Sequence, residues 1–266
     1  MPEANEFYKS STNSINSLFS LNRYSRATSC SVLEEQTQTT SSNTNTNNEV
    51  GQIFLDSIPQ LSPIDVDNKN KFVIILVGLP ATGKSTIASH LIHYLKKQQS
   101  SRHLRCTVFN AGSVRRTMCK KNLVDELFNQ KHSNLKEEFA KITLHNLLES
   151  IDNDECDIAI FDATNSNLKR REYVVQELDA YNQNSNTFTI IPMILQITCH
   201  NRDFIRYNIH NKSFNEDYFD KSYKFAITSF SNRVKNYYSQ FHEMDEEELN
   251  KYSNLPNIDN FFIFKL

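Results

Sequence analysis

Lys84 and Ser85 carry the chemistry of the most specific stretch of this chain, Gly78-Leu79-Pro80-Ala81-Thr82-Gly83-Lys84-Ser85-Thr86. Its spacing fits G-x-x-x-x-G-K-[ST], a loop whose backbone N–H groups converge on a phosphate chain. In that pattern the lysine reaches the terminal phosphates and the Ser85 hydroxyl ligates Mg²⁺. A chance match in a surface turn is the competing reading. The flanks argue against it, because an apolar run over 72–77 precedes the loop and Ile87-Ala88-Ser89-His90-Leu91-Ile92 follows it. That order is strand, turn, helix.

Asp162 ends another apolar run, Asp157-Ile158-Ala159-Ile160-Phe161. A carboxylate at a strand's carboxyl end can hold Mg²⁺, directly or through water, or accept a proton from a substrate hydroxyl. A turn or helix-capping aspartate is the alternative. Arg115 and Arg116 follow a strand over 105–110 and read as a turn at the sheet edge where open α/β folds bind ligands, with a plain solvated turn as the rival. Arg170 and Arg171 lie on the helix after Asp162. A phosphate loop, a strand-end acid and arginines at strand ends suit phosphoryl transfer to an anionic acceptor. They favour a small-molecule kinase using Mg-ATP over a P-loop switch or motor, since no N-K-x-D base-recognition motif is present.

The elements that must position these groups alternate along the chain. Strands are expected over 72–77, 105–110 and 157–161, in the run over 188–198 and over 260–266. Pro192 marks the start of the fourth run as an edge or loop. Helices are expected from the P-loop to about Lys97, over 133–151, around Arg170 and over 222–241. The outer face of the 133–151 helix, with Lys136, Glu137, Glu138 and Lys141, reads as solvated, and residues 245–248 read as an acidic surface segment. Such alternation implies an α/β fold, P-loop NTPase-like, with a mostly parallel sheet and helices on both faces.

Residues 1–70 are rich in Ser, Thr and Asn and read as a disordered tail, leaving 71–266 as the kinase domain. Within the tail, Ile15-Asn16-Ser17-Leu18-Phe19-Ser20-Leu21 is an apolar island. Ser25, Thr28 and Ser29 lie near Arg23 and Arg26, in a phosphorylation-like context. The formal net charge of −2 gives no reason to expect a nucleic acid or membrane partner. The five cysteines form no C-x-x-C pair and argue against a disulfide framework. No signal peptide or spanning segment is evident, so a cytoplasmic protein is expected.

Several motifs in series resemble the 6-phosphofructo-2-kinase family, over about residues 71–248. They are the loop at 78–85, Val108-Phe109-Asn110-Ala111-Gly112-Ser113-Val114-Arg115-Arg116, and Phe161-Asp162-Ala163-Thr164-Asn165 followed by Arg170-Arg171. Cys199, Asn208, Lys212, Asp217-Tyr218, Arg233 and Tyr237 follow in the order of the family's later motifs. The closest resemblance is to fungal kinase-only isoenzymes. It implies transfer of the ATP γ-phosphoryl group to the 2-hydroxyl of fructose 6-phosphate, with Mg²⁺, giving the glycolytic regulator fructose 2,6-bisphosphate. It assigns Arg115, Thr164, Arg170, Lys212, Arg233 and Tyr237 to the sugar phosphate. Residues 78–86 with Asn208 and Lys212 are assigned to ATP, and Lys84, Asp162 and Cys199 to the catalytic set. Cys199 has no evident chemical step and suits a pocket wall.

Three departures accompany the resemblance. Lys136 stands where the family has an arginine, which keeps the charge and loses the bidentate fork. The loop between Asn208 and Lys212 is slightly short. The chain ends at Leu266, before the family's V-x-x-G turn, so part of the nucleotide pocket is expected to be missing. No R-H-G motif follows, and no bisphosphatase domain is expected. The rival readings are a kinase for another small metabolite and a catalytically weak relative that binds nucleotide or sugar phosphate.

Overall fold

A computed structural model describes residues 69–118 and 133–266. The tail, its apolar island and its candidate phosphorylation sites lie outside the described residues, except that Asn70 already belongs to the first strand. The strands are β1 (Asn70–Val77), β2 (Cys106–Asn110), β3 (Ile158–Asp162), β4 (Thr189–Gln196) and β5 (Phe262–Lys265). The helices are α1 (Lys84–Lys97), α2 (Ala111–Met118), α3 (Ser133–Asp152), α4 (Leu168–Asn184), α5 (Arg202–Lys212), α6 (Tyr223–Tyr238) and α7 (Glu246–Ser253). A short 3-10 turn, Glu216–Tyr218, joins α5 to α6.

The five strands form one parallel sheet in the order β2-β3-β1-β4-β5. β1 is central, and its alternate side chains enter two cores. Val73, Ile75 and Val77 pack with α3, α4 and the α7 region through Leu144, Val174, Leu178 and Tyr252. Ile74 and Leu76 pack with Ala88 and the half-buried Leu91 and Leu95 of α1. A strand buried on both faces explains the unbroken apolar run in β1. A third, smaller cluster of Ala81, Tyr218, Ala226 and Phe230 ties α5 and α6 to the P-loop.

Three expectations need correction and a fourth is met. The turn expected at Ala111 is a helix, because Asn110 Oδ1 accepts from the Ser113 N–H at 2.8 Å and starts α2 directly at the strand end. The edge expected at the start of the fourth run is met: Pro192 sits in a stretch of β4 that pairs with β1, while β5 pairs only from Met193 onward. A residue without an N–H is tolerated where one flank of a strand is open. Glu248, read as surface acid, is buried. Its carboxylate accepts from Arg171 Nε and Nη2 at 2.6 and 2.7 Å and from Tyr252 Oη at 2.7 Å. Lys136 and Glu137, read as solvated, border the cavity described next.

Candidate active site

The strand order places the ends of β1 and β3 side by side. Ile75 is in register with Phe161, so the chain leaves β1 as the P-loop beside Asp162. Gly78 turns it with φ of +149°, and a Cβ there would meet the Ile197 carbonyl oxygen at 2.3 Å. Gly83 adopts φ of +95° as the N-cap of α1. Only glycine enters such conformations without strain. Leu79 and Thr82 shape the loop from within: the Leu79 carbonyl accepts from Thr82 Oγ1 at 2.8 Å and from Lys84 Nζ at 2.5 Å. The Gly78 N–H donates to the Thr164 carbonyl at 3.0 Å, which fixes the P-loop against the segment after β3.

Ser85, the second residue of α1, donates from Oγ to Asp162 Oδ2 at 2.7 Å. Asn110 is in register with Asp162 across the β2–β3 ladder and donates to the same oxygen at 2.6 Å. Lys84 is buried. Burial pushes its ammonium pKa down to about 8 against the opposing pull of Asp162, while Arg233 and Lys212 add to the downward push. Desolvation thus outweighs the nearby carboxylate at this lysine.

One cavity of about 480 Å³ joins these groups to the arginines. Its lining includes Pro80, Ala81, Gly83, Lys84, Ser85 and Thr86 from the P-loop, then Asp162, Arg115, Thr164 and Arg170 from the sheet side. Asn208, Lys212, Arg233 and Tyr237 come from α5 and α6. Asn208 Nδ2 donates to the Ala81 carbonyl at 2.8 Å and docks α5 on the P-loop. The guanidinium pKa of Arg233 is lowered, first by burial. The structure thus brings together every residue assigned to the sugar phosphate. Gly78, Leu79 and Thr82 support the loop from outside the lining. Cys199 stands apart, half-buried after β4, with its Sγ 3.8 Å from the Asn201 carbonyl and not on the cavity wall.

Three acids share the cavity with seven basic side chains. Besides Asp162 these are Glu137, which accepts from Arg170 Nε, and Asp217, which accepts from Arg115 Nη2. No chemical role was read for Asn110, Glu137 or Asp217 in the sequence. Asn110 and Asp217 lie within quoted motifs, and Glu137 carried only the signal of a charge on a mixed helix face.

Ser85 and Asp162 offer the oxygen ligands Mg²⁺ prefers. Their 2.7 Å hydrogen bond sets both oxygens side by side, where they could hold such an ion. Among the described residues no helix is long and apolar enough to cross a membrane.

Comparison with known proteins bears on this geometry. A family model described as 6-phosphofructo-2-kinase matches residues 60–265. A Schizosaccharomyces pombe protein named as a probable 6-phosphofructo-2-kinase is 32% identical over 197 residues, 71% of this chain and 28% of its own length. The Saccharomyces cerevisiae 6-phosphofructo-2-kinase 1 is 29% identical over 199 residues, 72% of this chain and 23% of its own length. The chain thus spans about a quarter of the length of these curated relatives.

Proposed function

Because the chain belongs to the 6-phosphofructo-2-kinase family, we propose that it transfers the γ-phosphoryl group of ATP to the 2-hydroxyl of fructose 6-phosphate. The products are ADP and fructose 2,6-bisphosphate, with release of the hydroxyl proton. One observation carries the reading: a single cavity joins the P-loop and Asp162 to all six side chains assigned to the sugar phosphate. Its excess of basic over acidic groups suits two phosphate-bearing ligands at once.

The residues divide the work. Backbone N–H groups of the loop and of the first turn of α1 bind the phosphate chain, and Lys84 neutralises its terminal groups. Ser85 and Asp162 would hold Mg²⁺, which neutralises charge between the β- and γ-phosphates. Asn110 holds the Asp162 carboxylate in one orientation. Arg115, Arg170, Lys212 and Arg233 bind the dianionic 6-phosphate, with Thr164 and Tyr237 as hydroxyl partners. A loose transition state asks little of a general base, so positioning and charge neutralisation account for most of the acceleration.

The test is turnover by the purified chain with ATP, Mg²⁺ and a panel of sugar phosphates, scoring ADP release and an acid-labile bisphosphate. Fructose 6-phosphate is expected to be the preferred acceptor, and Lys84→Ala and Asp162→Ala to abolish the reaction. ATP binding without turnover on any acceptor would instead identify a binding-only relative.

A further inference from the structure

We propose that Asp217 is a positioning residue, which sets where the cations of α5 and α6 stand over the acceptor phosphate. Its Oδ2 accepts from Arg115 Nη2 at 2.5 Å, with both side chains almost fully buried and 102 positions apart. The next pair repeats the contact at the rim, where Arg116 Nε stands 3.5 Å from Glu216 Oε2. Two consecutive arginines of α2 thus meet two consecutive acids of the 3-10 turn.

The two sides of this contact carry opposite walls of the cavity. Arg115 is fixed to the sheet, on the helix that starts at the end of β2. The turn lies between Lys212, the last residue of α5, and α6, which bears Arg233 and Tyr237. Tyr218, next to Asp217, is buried in the small cluster under α5 and α6, so the turn cannot slide without unpacking that cluster. A guanidinium presents its donors in one rigid plane, and fixing Nη2 orients that plane. Buried ion pairs add little net stability over apolar replacements, so a fixed geometry is the more substantial contribution here.

The contact rests on geometry alone, and its effect on fructose 6-phosphate rests on the function proposed above. Asp217→Asn in the full chain tests both. Calorimetric titration is expected to show fructose 6-phosphate binding about tenfold weaker, with binding of a non-hydrolysable ATP analogue changed less than about twofold. Hydrogen exchange is expected to quicken in α5 and α6 and stay unchanged in β1 and α1. A merely structural pair would lower the melting temperature and raise exchange throughout without splitting the two affinities. Unchanged or tighter fructose 6-phosphate binding with unchanged exchange in α5 and α6 overturns the proposal. If the parent chain binds no fructose 6-phosphate, the functional reading fails and exchange alone decides the role of Asp217. Should Asp217→Asn not fold, Asp217→Glu keeps the charge on a longer arm and is judged by the same outcomes.

Discussion

Ser85 and Asp162, 77 positions apart, share a hydrogen bond of 2.7 Å, and Asn110 donates to the same carboxylate oxygen from a third element. The sheet therefore assembles the oxygens that would hold Mg²⁺ in the proposed reaction. Asp162→Asn is expected to lower turnover about 10²–10³-fold, because it weakens the hold on the cation that would neutralise transition-state charge. Asn110→Ala leaves the carboxylate in place, held by Ser85 alone. Its expected signature is a higher Mg²⁺ midpoint in initial-rate titrations with a smaller loss of rate.

Lys84 makes nucleotide binding depend on pH. Burial lowers its pKa from 10.5 to about 8. Below pH 8 the ammonium is charged in both folded and unfolded chains, and the folded one bears the cost of burying it. Between pH 8 and 10.5 the unfolded chain binds more protons, so this contribution to stability rises with pH. A bound polyphosphate favours the ammonium and reverses the preference. Affinity for ATP is expected to fall from pH 8 to pH 10, with proton uptake on binding visible as a buffer-dependent calorimetric enthalpy. Lys84→Met should bind weakly at every pH and, without ligand at pH 7, melt no lower than the parent.

Arg171 stands next to Arg170, which lines the cavity, and does a different job. Nε and Nη2 hold Glu248, and Nη1 donates to the carbonyls of Asn165 and His242 at 3.1 and 3.0 Å. The network pins α7 and the segment carrying Thr164 to α4. Arg171→Met leaves a buried carboxylate unpaired and is expected to cost about 3–5 kcal/mol in urea unfolding. Adding Glu248→Leu should recover most of that loss, and a double variant no more stable than the single one would contradict this reading.

Lys136 lines the cavity with its ammonium 5.4 Å from the centroid of the Tyr237 ring. Lys136→Arg keeps the contact with the ring and adds a planar fork for phosphate. Fructose 6-phosphate is expected to bind about threefold more tightly, with ATP unaffected, in parallel titrations. Equal or weaker binding would show that the lysine already meets its anion as a point charge.

Each local pattern here carried its own meaning. The apolar run of β1, the glycines of the P-loop and the lysine and serine after them specify strand, turn and helix within about twenty residues, because those preferences act through neighbouring backbone and side chains. The arginine-bearing motifs likewise marked residues that line the cavity. What depended on the tertiary structure was every pairing over long separation: Asn110 with Asp162, Arg115 with Asp217, Arg171 with Glu248. Glu248 and Glu137 look like ordinary surface acids in sequence, since a charge on a helix carries no local sign of the arginine that will pair with it. Strand order and helix packing select those partners, and only their meeting turns a phosphate loop into a cavity with two sides.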